Sequence, residues 1–218
     1  MGMPYELQLF EDALFGGEEV PFDDPAPRAI YVSAGSVSVN GEDLSLDEGV
    51  VSTDAVRLCA GGDGATVWRW EVVSANEGPC AYGHRTTLRL AGGVDPAAIA
   101  DELLIRLDSV AFPPGGTALL HTHQGPGIRC LREGEIRIDT EGRSSSYGPG
   151  GAWFESGPEP VFAQASSDVP SRFIRAMVLP RSLLGTSSIR YVRDEDRDRP
   201  KSQTYRVFAE LPVSPGSP

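Results

Sequence analysis

A strand–glycine–strand unit occurs twice in this chain. Ala29 to Val39 reads Ala-Ile-Tyr-Val-Ser-Ala-Gly-Ser-Val-Ser-Val, and Ile128 to Ile138 reads Ile-Arg-Cys-Leu-Arg-Glu-Gly-Glu-Ile-Arg-Ile. Both halves of each unit alternate or are rich in β-branched residues, and glycine (Gly35, Gly134) stands at the same place in each. An internal repeat of this kind constrains the fold more than composition does, because it asks for two similar β units in one chain. Further short strands with Gly-rich turns fall around 26–75 and 104–180, and Asn40-Gly41 is a type I′ hairpin signal. With 25 glycines and 18 prolines, long helices are disfavoured. The expected class is all-β, sandwich or barrel. One short helix is expected from Asp95-Pro96 to about Leu103, with Asp as N-cap and Pro at the first helical position.

The division expected is an amphipathic, then acidic and Pro-rich, arm over 1–25, a first β unit over 26–94, a second over 95–186, and a strand extension and tail over 187–218. The charged run Arg193–Lys201 reads as a solvated loop. Trp68 and Trp70 share one strand and are read as packing between the two units.

The formal net charge of −12 argues against nucleic acid or an anionic membrane as the main partner. No apolar run reaches the roughly 18 residues of a membrane span, and no signal-peptide pattern opens the chain. Cys59, Cys80 and Cys130 are odd in number and unrelated in spacing, as expected of reduced thiols in a cytoplasm.

Two of the three histidines, His121 and His123, follow Gly115-Gly116-Thr117-Ala118-Leu119-Leu120 at i and i+2. On a strand, side chains two apart share a face, so both imidazoles can reach one divalent ion. Two protein nitrogens hold a metal poorly, and Glu155 is the best third ligand, against the bland reading of an exposed strand-end glutamate. His84 lies in a loop. Arg129 is placed on an inward face, where it needs an anion, either Glu155 or a substrate carboxylate. Gln124 and Tyr147 are placed at the rim as hydrogen-bonding residues. Gly127 is read as opening space beside the histidines.

At these residues the chain resembles the cupin superfamily in a two-barrel (bicupin) arrangement. Gly115, His121, His123 and Gly134 match the first cupin motif in register, while its glutamate position holds Gly127. In the second motif, Gly150 leads through Trp153-Phe154-Glu155 to Ser156-Gly157-Pro158-Glu159-Pro160, and the histidine position holds Val161. In the first half, Phe22 and Asp24 stand where the His-x-His would be. The resemblance implies tandem jelly-roll (double-stranded β-helix) barrels and one divalent transition metal (Fe, Mn, Ni or Zn) on His121, His123 and Glu155. Arg129 and Gln124 would then serve a small anionic organic molecule. It implies an oxygenase, lyase or isomerase. Two alternatives stay open: a metal-free cupin that binds or senses a small acid, and a polyketide-cyclase-like cupin. A homodimer is expected, although a bicupin already holds the paired-barrel contact within one chain.

Overall fold

The structure, a computed structural model, describes residues 5–75, 85–95 and 102–213. Its N-terminal unit contains β1 (Tyr5–Leu14), β2 (Glu19–Phe22), β3 (Arg28–Val39), β4 (Glu42–Leu44), β5 (Gly49–Ser52), β6 (Val56–Ser74) and β7 (Thr86–Val94). All pair antiparallel in one sheet. The first half of β3 pairs with β5 and the second half with β4. Likewise, the start of β6 pairs with β2, while its end pairs with β1, which in turn pairs with β7.

The C-terminal unit contains β8 (Leu103–Phe112), β9 (Thr117–His123), β10 (Gly127–Glu133), β11 (Ile136–Thr140), β12 (Arg143–Tyr147), β13 (Ala152–Glu155), β14 (Val161–Ala165), β15 (Ser171–Pro180), β16 (Ile189–Tyr191) and β17 (Thr204–Val213). They form two five-stranded sheets, β13-β10-β15-β8-β17 and β12-β11-β14-β9-β16.

The repeat seen in the sequence is a repeat of topology. If β3 is divided at Gly35 and β6 at Gly64, the pairings of the N-terminal unit recur in the C-terminal one. Then β3 corresponds to β10 plus β11, β6 to β14 plus β15, and β1, β2, β4, β5 and β7 to β8, β9, β12, β13 and β17. Gly35 was expected in a turn between two strands. Instead β3 runs through it, with a register shift beside it. Gly35 (φ +70°) and Gly134 (φ +81°) are left-handed, and a Cβ on either would lie 2.1 Å from the Gly64 carbonyl oxygen or 2.2 Å from that of Pro170. Only glycine gives both the dihedral and the close approach. Asn40 (φ 51°) and Gly41 (φ 86°) make the expected hairpin turn between β3 and β4.

Three apolar layers hold the units together. Leu14, Phe22, Ile30, Val32, Leu58 and Val67 fill the N-terminal unit. Val110, Leu131, Ile138, Trp153 and Phe173 belong to the core of the C-terminal barrel. Between them, Leu7, Leu9, Tyr31, Trp68 and Trp70 from one unit pack against Ile105, Leu107, Ile128, Ile174 and Val178 of the other. The tryptophans therefore lie where the sequence reading put them, and the Trp70 Nε1–H donates to the Ile128 carbonyl at 3.1 Å.

Residues 5–14 are not an arm laid on the body. They form β1, hydrogen-bonded on both sides between β6 and β7. Both faces of β1 are covered, which hides the strand alternation that would have marked it. Of the helix expected over 95–103, Leu103 is the first residue of β8, and 96–101 lie outside the described residues. Within 193–201 there is one short 3-10 turn, Asp194–Asp196, with Arg197–Asp194 and Arg199–Asp196 ion pairs. Asp196 is buried rather than solvated. Among the described residues no helix is long and apolar enough to cross a membrane.

Candidate functional site

His121 and His123 lie on β9, opposite Tyr191 and Ile189 of β16, and His121 also faces Val161 of β14. Their shared parity turns both rings into the C-terminal barrel, where each is about 5% exposed. The two Nε2 atoms are 3.2 Å apart, and the ring planes meet edge to face. His121 Nδ1 is 2.6 Å from the Leu119 carbonyl oxygen. A carbonyl can only accept, so the neutral ring carries its proton on Nδ1 and turns the Nε2 lone pair inward. His123 Nδ1 contacts the Ser188 hydroxyl at 3.3 Å.

Glu155, at the end of β13, is buried and directed at the histidines. Its Oε1 accepts from Trp153 Nε1 at 2.9 Å, and its Oε2 lies 3.3 Å from His123 Nε2. Arg129 Nη2 sits 2.6 Å from the same Oε2. Of the two anions weighed for Arg129, the geometry supplies Glu155. The remainder of this guanidinium folds back on its own strand, with Nη1 donating to the Gly127 carbonyl at 2.6 Å, while Nε has no acceptor among the described residues. Gly127 does not open free space beside the imidazoles. A Cβ there would lie 3.0 Å from Arg129 Nη1 and 2.8 Å from the Ala176 carbonyl oxygen, so the missing side chain makes room for the arginine.

Charge and burial set the protonation states. Burial lowers the pKa of both imidazoles, that of His123 to about 3 from an ordinary 6.5, so both are neutral near pH 7. Burial alone would raise the Glu155 carboxyl. Arg129, His123 and His121 outweigh it and hold the group well below the usual carboxylate range. Burial brings the Arg129 guanidinium down to about 10, against the opposing pull of Glu155.

Several calls fall elsewhere. Gln124 is half-buried, binds Ser188 through its backbone N–H, and does not line the cavity beside the histidines. Tyr147 is not at a rim but stacks on Trp153, 4.8 Å between centroids. His84 lies outside the described residues. The sequence reading named Trp153 only as part of the second motif and missed its bond to Glu155. It also missed Arg175, bound through two nitrogens to Asp108 at 2.7 and 3.1 Å, and Tyr205 on β17, both of which line the same cavity. A usable signal existed: Asp108, with Arg106, lies inside the mostly apolar β8, and Arg175 lies inside the mostly apolar β15, and buried charges are rare unless paired.

The cavity bounded by His121, His123, Arg129, Glu155 and Arg175 has about 20 Å³ of free space. That is room for roughly one water or one ion. Among the described residues no group of three or more His, Cys, Asp or Glu side chains is placed so that it could, as it stands, hold a metal ion. The donor chemistry nonetheless fits a divalent transition ion. Two neutral imidazoles and an ionised carboxylate are the required ligand states, and donors bound at about 2.1 Å stand roughly 3.0–3.5 Å apart, as the 3.2 and 3.3 Å separations here do. Trp153 and Arg129 hold the carboxylate from outside, as ligating carboxylates commonly are held.

The N-terminal unit is different at the corresponding place. Phe22, opposite Val56 at the start of β6, occupies the position of His121, opposite Val161 at the start of β14. Arg69 stands where Arg175 does, and it too takes an aspartate through two nitrogens, Asp12 at 2.7 and 3.1 Å. Arg69 Nη1 then lies 2.6 Å from Glu71, which also holds Arg28, and Phe10 and Phe22 cover the guanidinium. Charge pairs and aromatic rings fill that interior.

No family model and no curated protein matches the sequence. Solved structures do. Oxalate decarboxylase from Bacillus subtilis superposes with a TM-score of 0.64 at 11% identity, over 89% of this chain and 73% of that one. Salicylate 1,2-dioxygenase from Pseudaminobacter salicylatoxidans gives 0.56 at 11% identity, over 92% and 74%. AerE from Microcystis aeruginosa gives 0.53 at 10%, over 80% and 87%. The manganese(II) centres of the decarboxylase and a gentisate complex of the dioxygenase have been described. At such identities the likeness establishes the fold alone: like those structures, this chain is built of jelly-roll units in tandem.

Proposed function

We propose that the C-terminal barrel is the active centre of a cupin-type enzyme acting on a small anionic organic substrate with one divalent transition-metal ion. The observation that carries this reading is the convergence of two neutral imidazoles and one ionised carboxylate in a buried cavity with space for a single ion. His121, His123 and Glu155 would hold the ion, which would supply Lewis acidity or, if it is iron, an attachment point for dioxygen.

The chain's own residues support that chemistry. The Leu119 carbonyl fixes the His121 tautomer, the Ser188 hydroxyl braces His123, and Trp153 and Arg129 keep Glu155 ionised and in place. The charges of Arg129 and Glu155 cancel, as do those of Arg175 and Asp108. A divalent ion added to this neutral shell leaves an excess of two positive charges, which an anionic substrate would offset. The small cavity keeps bulk water out. Decarboxylase and dioxygenase chemistry among the structural neighbours agrees with the general type and does not select a reaction.

The test is elemental analysis of protein purified without a histidine tag. About one equivalent of metal, lost in a His121→Ala/His123→Ala double variant, is the expected result. Trace metal in the wild type, with no change of stability in the variant, would refute it. A second reading, a metal-free cupin that binds a small acid, is favoured by one observation: Arg129 already engages the Glu155 oxygen that faces the histidines.

A further inference from the structure

The histidine cavity is too small for an organic substrate, and a larger space adjoins it. This second chamber measures about 290 Å³ and lies between β8, β17 and the 185–188 loop. That is near the lower end of small-molecule pockets, about 300 Å³. Arg175 and Tyr205 line both spaces. Ser188, whose hydroxyl contacts His123 Nδ1, lines the chamber as well. Two apolar side chains of β17, Tyr205 and Val207, are 46% and 51% exposed on its wall.

The two barrels supply an internal comparison for the polar end of this chamber. In the N-terminal unit all three nitrogens of Arg69 are engaged, Nε and Nη2 by Asp12 and Nη1 by Glu71. In the C-terminal unit Asp108 takes Nε and Nη2 of Arg175 in the same way. The residue in register with Glu71 is Met177, since Arg28 pairs with Glu71 where Gly127 pairs with Met177. A thioether is a poor acceptor, and no acceptor among the described residues meets Arg175 Nη1. The residue as a whole is 4% exposed, and Nη1 is not among the fully enclosed unpartnered atoms, so it opens onto cavity space. An N–H that opens onto such a space without a protein acceptor is completed by water or by a ligand. Arg106, the other cation of the chamber, is spent on Glu210 and on the Leu183 and Thr186 carbonyls.

We propose that this chamber binds a small carboxylate whose apolar body lies against Tyr205 and Val207 and whose oxygen accepts from Arg175 Nη1. The ligand sits outside the ion cavity and meets it through the shared Arg175–Tyr205 wall. Calling this ligand the substrate rests on the enzymatic reading above; its binding does not.

Benzoate titrated into the full chain by calorimetry, with benzyl alcohol as the uncharged analogue, tests the proposal. Benzoate is expected to bind saturably and at least about tenfold more tightly than the alcohol, the size of one charge-assisted hydrogen bond. Ser187→Trp and Val207→Trp each fill the chamber from exposed positions and are expected to weaken benzoate at least about tenfold, with melting temperature and metal content unchanged. No saturable benzoate binding, equal binding of the alcohol, or indifference of both tryptophan variants would overturn the chamber, whatever the metal content. Trace metal with the benzoate pattern intact would overturn the metal reading and leave the chamber standing.

Discussion

The Arg129–Glu155 pair offers a quantitative test of how the barrel interior is held. The two groups are 1% and 6% exposed at their side chains, with 2.6 Å between Nη2 and Oε2. At an effective dielectric constant of about 20, their attraction is on the order of 6 kcal/mol. Desolvating each ion costs several kcal/mol, so the intact pair contributes little net stability. Removing one partner is another matter, because the other charge stays buried. Arg129→Met and Glu155→Met are each expected to cost about 3–5 kcal/mol, whereas the double variant should cost far less than their sum. Urea denaturation of the metal-free protein, taken around a double-mutant cycle, would measure the coupling, expected at about 4–7 kcal/mol. Additive losses within about 0.5 kcal/mol would mean that the two groups do not interact in solution, and the account of Glu155 as an ionised, arginine-held carboxylate would fall.

Trp70→Ala should cost about 3–5 kcal/mol, because Trp70 is buried between the barrels and bonded to the Ile128 carbonyl; a loss below about 1 kcal/mol in chemical denaturation would contradict a shared core. Tyr31 is buried and donates to Asp47, and burial together with that bond pushes its phenol up to about 12. The unfolded chain therefore ionises first on the alkaline side, and stability should fall from pH 10 toward 12 by up to about 1.4 kcal/mol per unit. Tyr31→Phe should flatten that fall, and an unchanged alkaline profile would show that the phenol titrates normally. Met177→Glu places a carboxylate in register with Glu71 and should block benzoate while being at least about 1 kcal/mol less destabilising than Met177→Gln; a more stable glutamine variant would show that Arg175 Nη1 is not a free donor.

Much of this architecture was legible in the residues because it rests on local rules. The period-two alternation of β9 fixed the common face of His121 and His123, and Asn40-Gly41 fixed a hairpin. The repeated strand–glycine–strand unit announced the duplication. What escaped depended on partners distant in sequence. β1 has both faces covered, so its alternation was masked and it read as an arm. Gly127 looked like vacated space because nothing in the sequence says that Arg129 curls back over its own strand. The part played by Trp153 was hidden, since its Nε1 bond to Glu155 follows only from the turn of β13 into the barrel. Asp108 and Arg175 are 67 residues apart, and only the pairing of β8 with β15 makes them one group.

The duplicated barrels also show how one topology gives a filled interior and an open one. Both retain an arginine held through two nitrogens by an aspartate, Arg69 with Asp12 and Arg175 with Asp108. Around that common pair the N-terminal unit adds Phe22, Arg28 and Glu71, and every one of these is buried. Each additional group answers a charge or covers a ring, so nothing remains for a ligand to complete. The C-terminal unit has His121, Gly127 and Met177 in those three places. Gly127 lets Arg129 fold back toward Glu155, Met177 leaves Arg175 Nη1 without an acceptor, and His121 presents a lone pair inward. Three substitutions between equivalent positions thus convert a self-satisfied charge network into one with an unspent donor, an unspent acceptor and a gap between them. Unmet polar capacity in a buried site is expensive to keep for stability alone, and it is this physical asymmetry, more than the motif, that supports the proposal of a site in the second barrel.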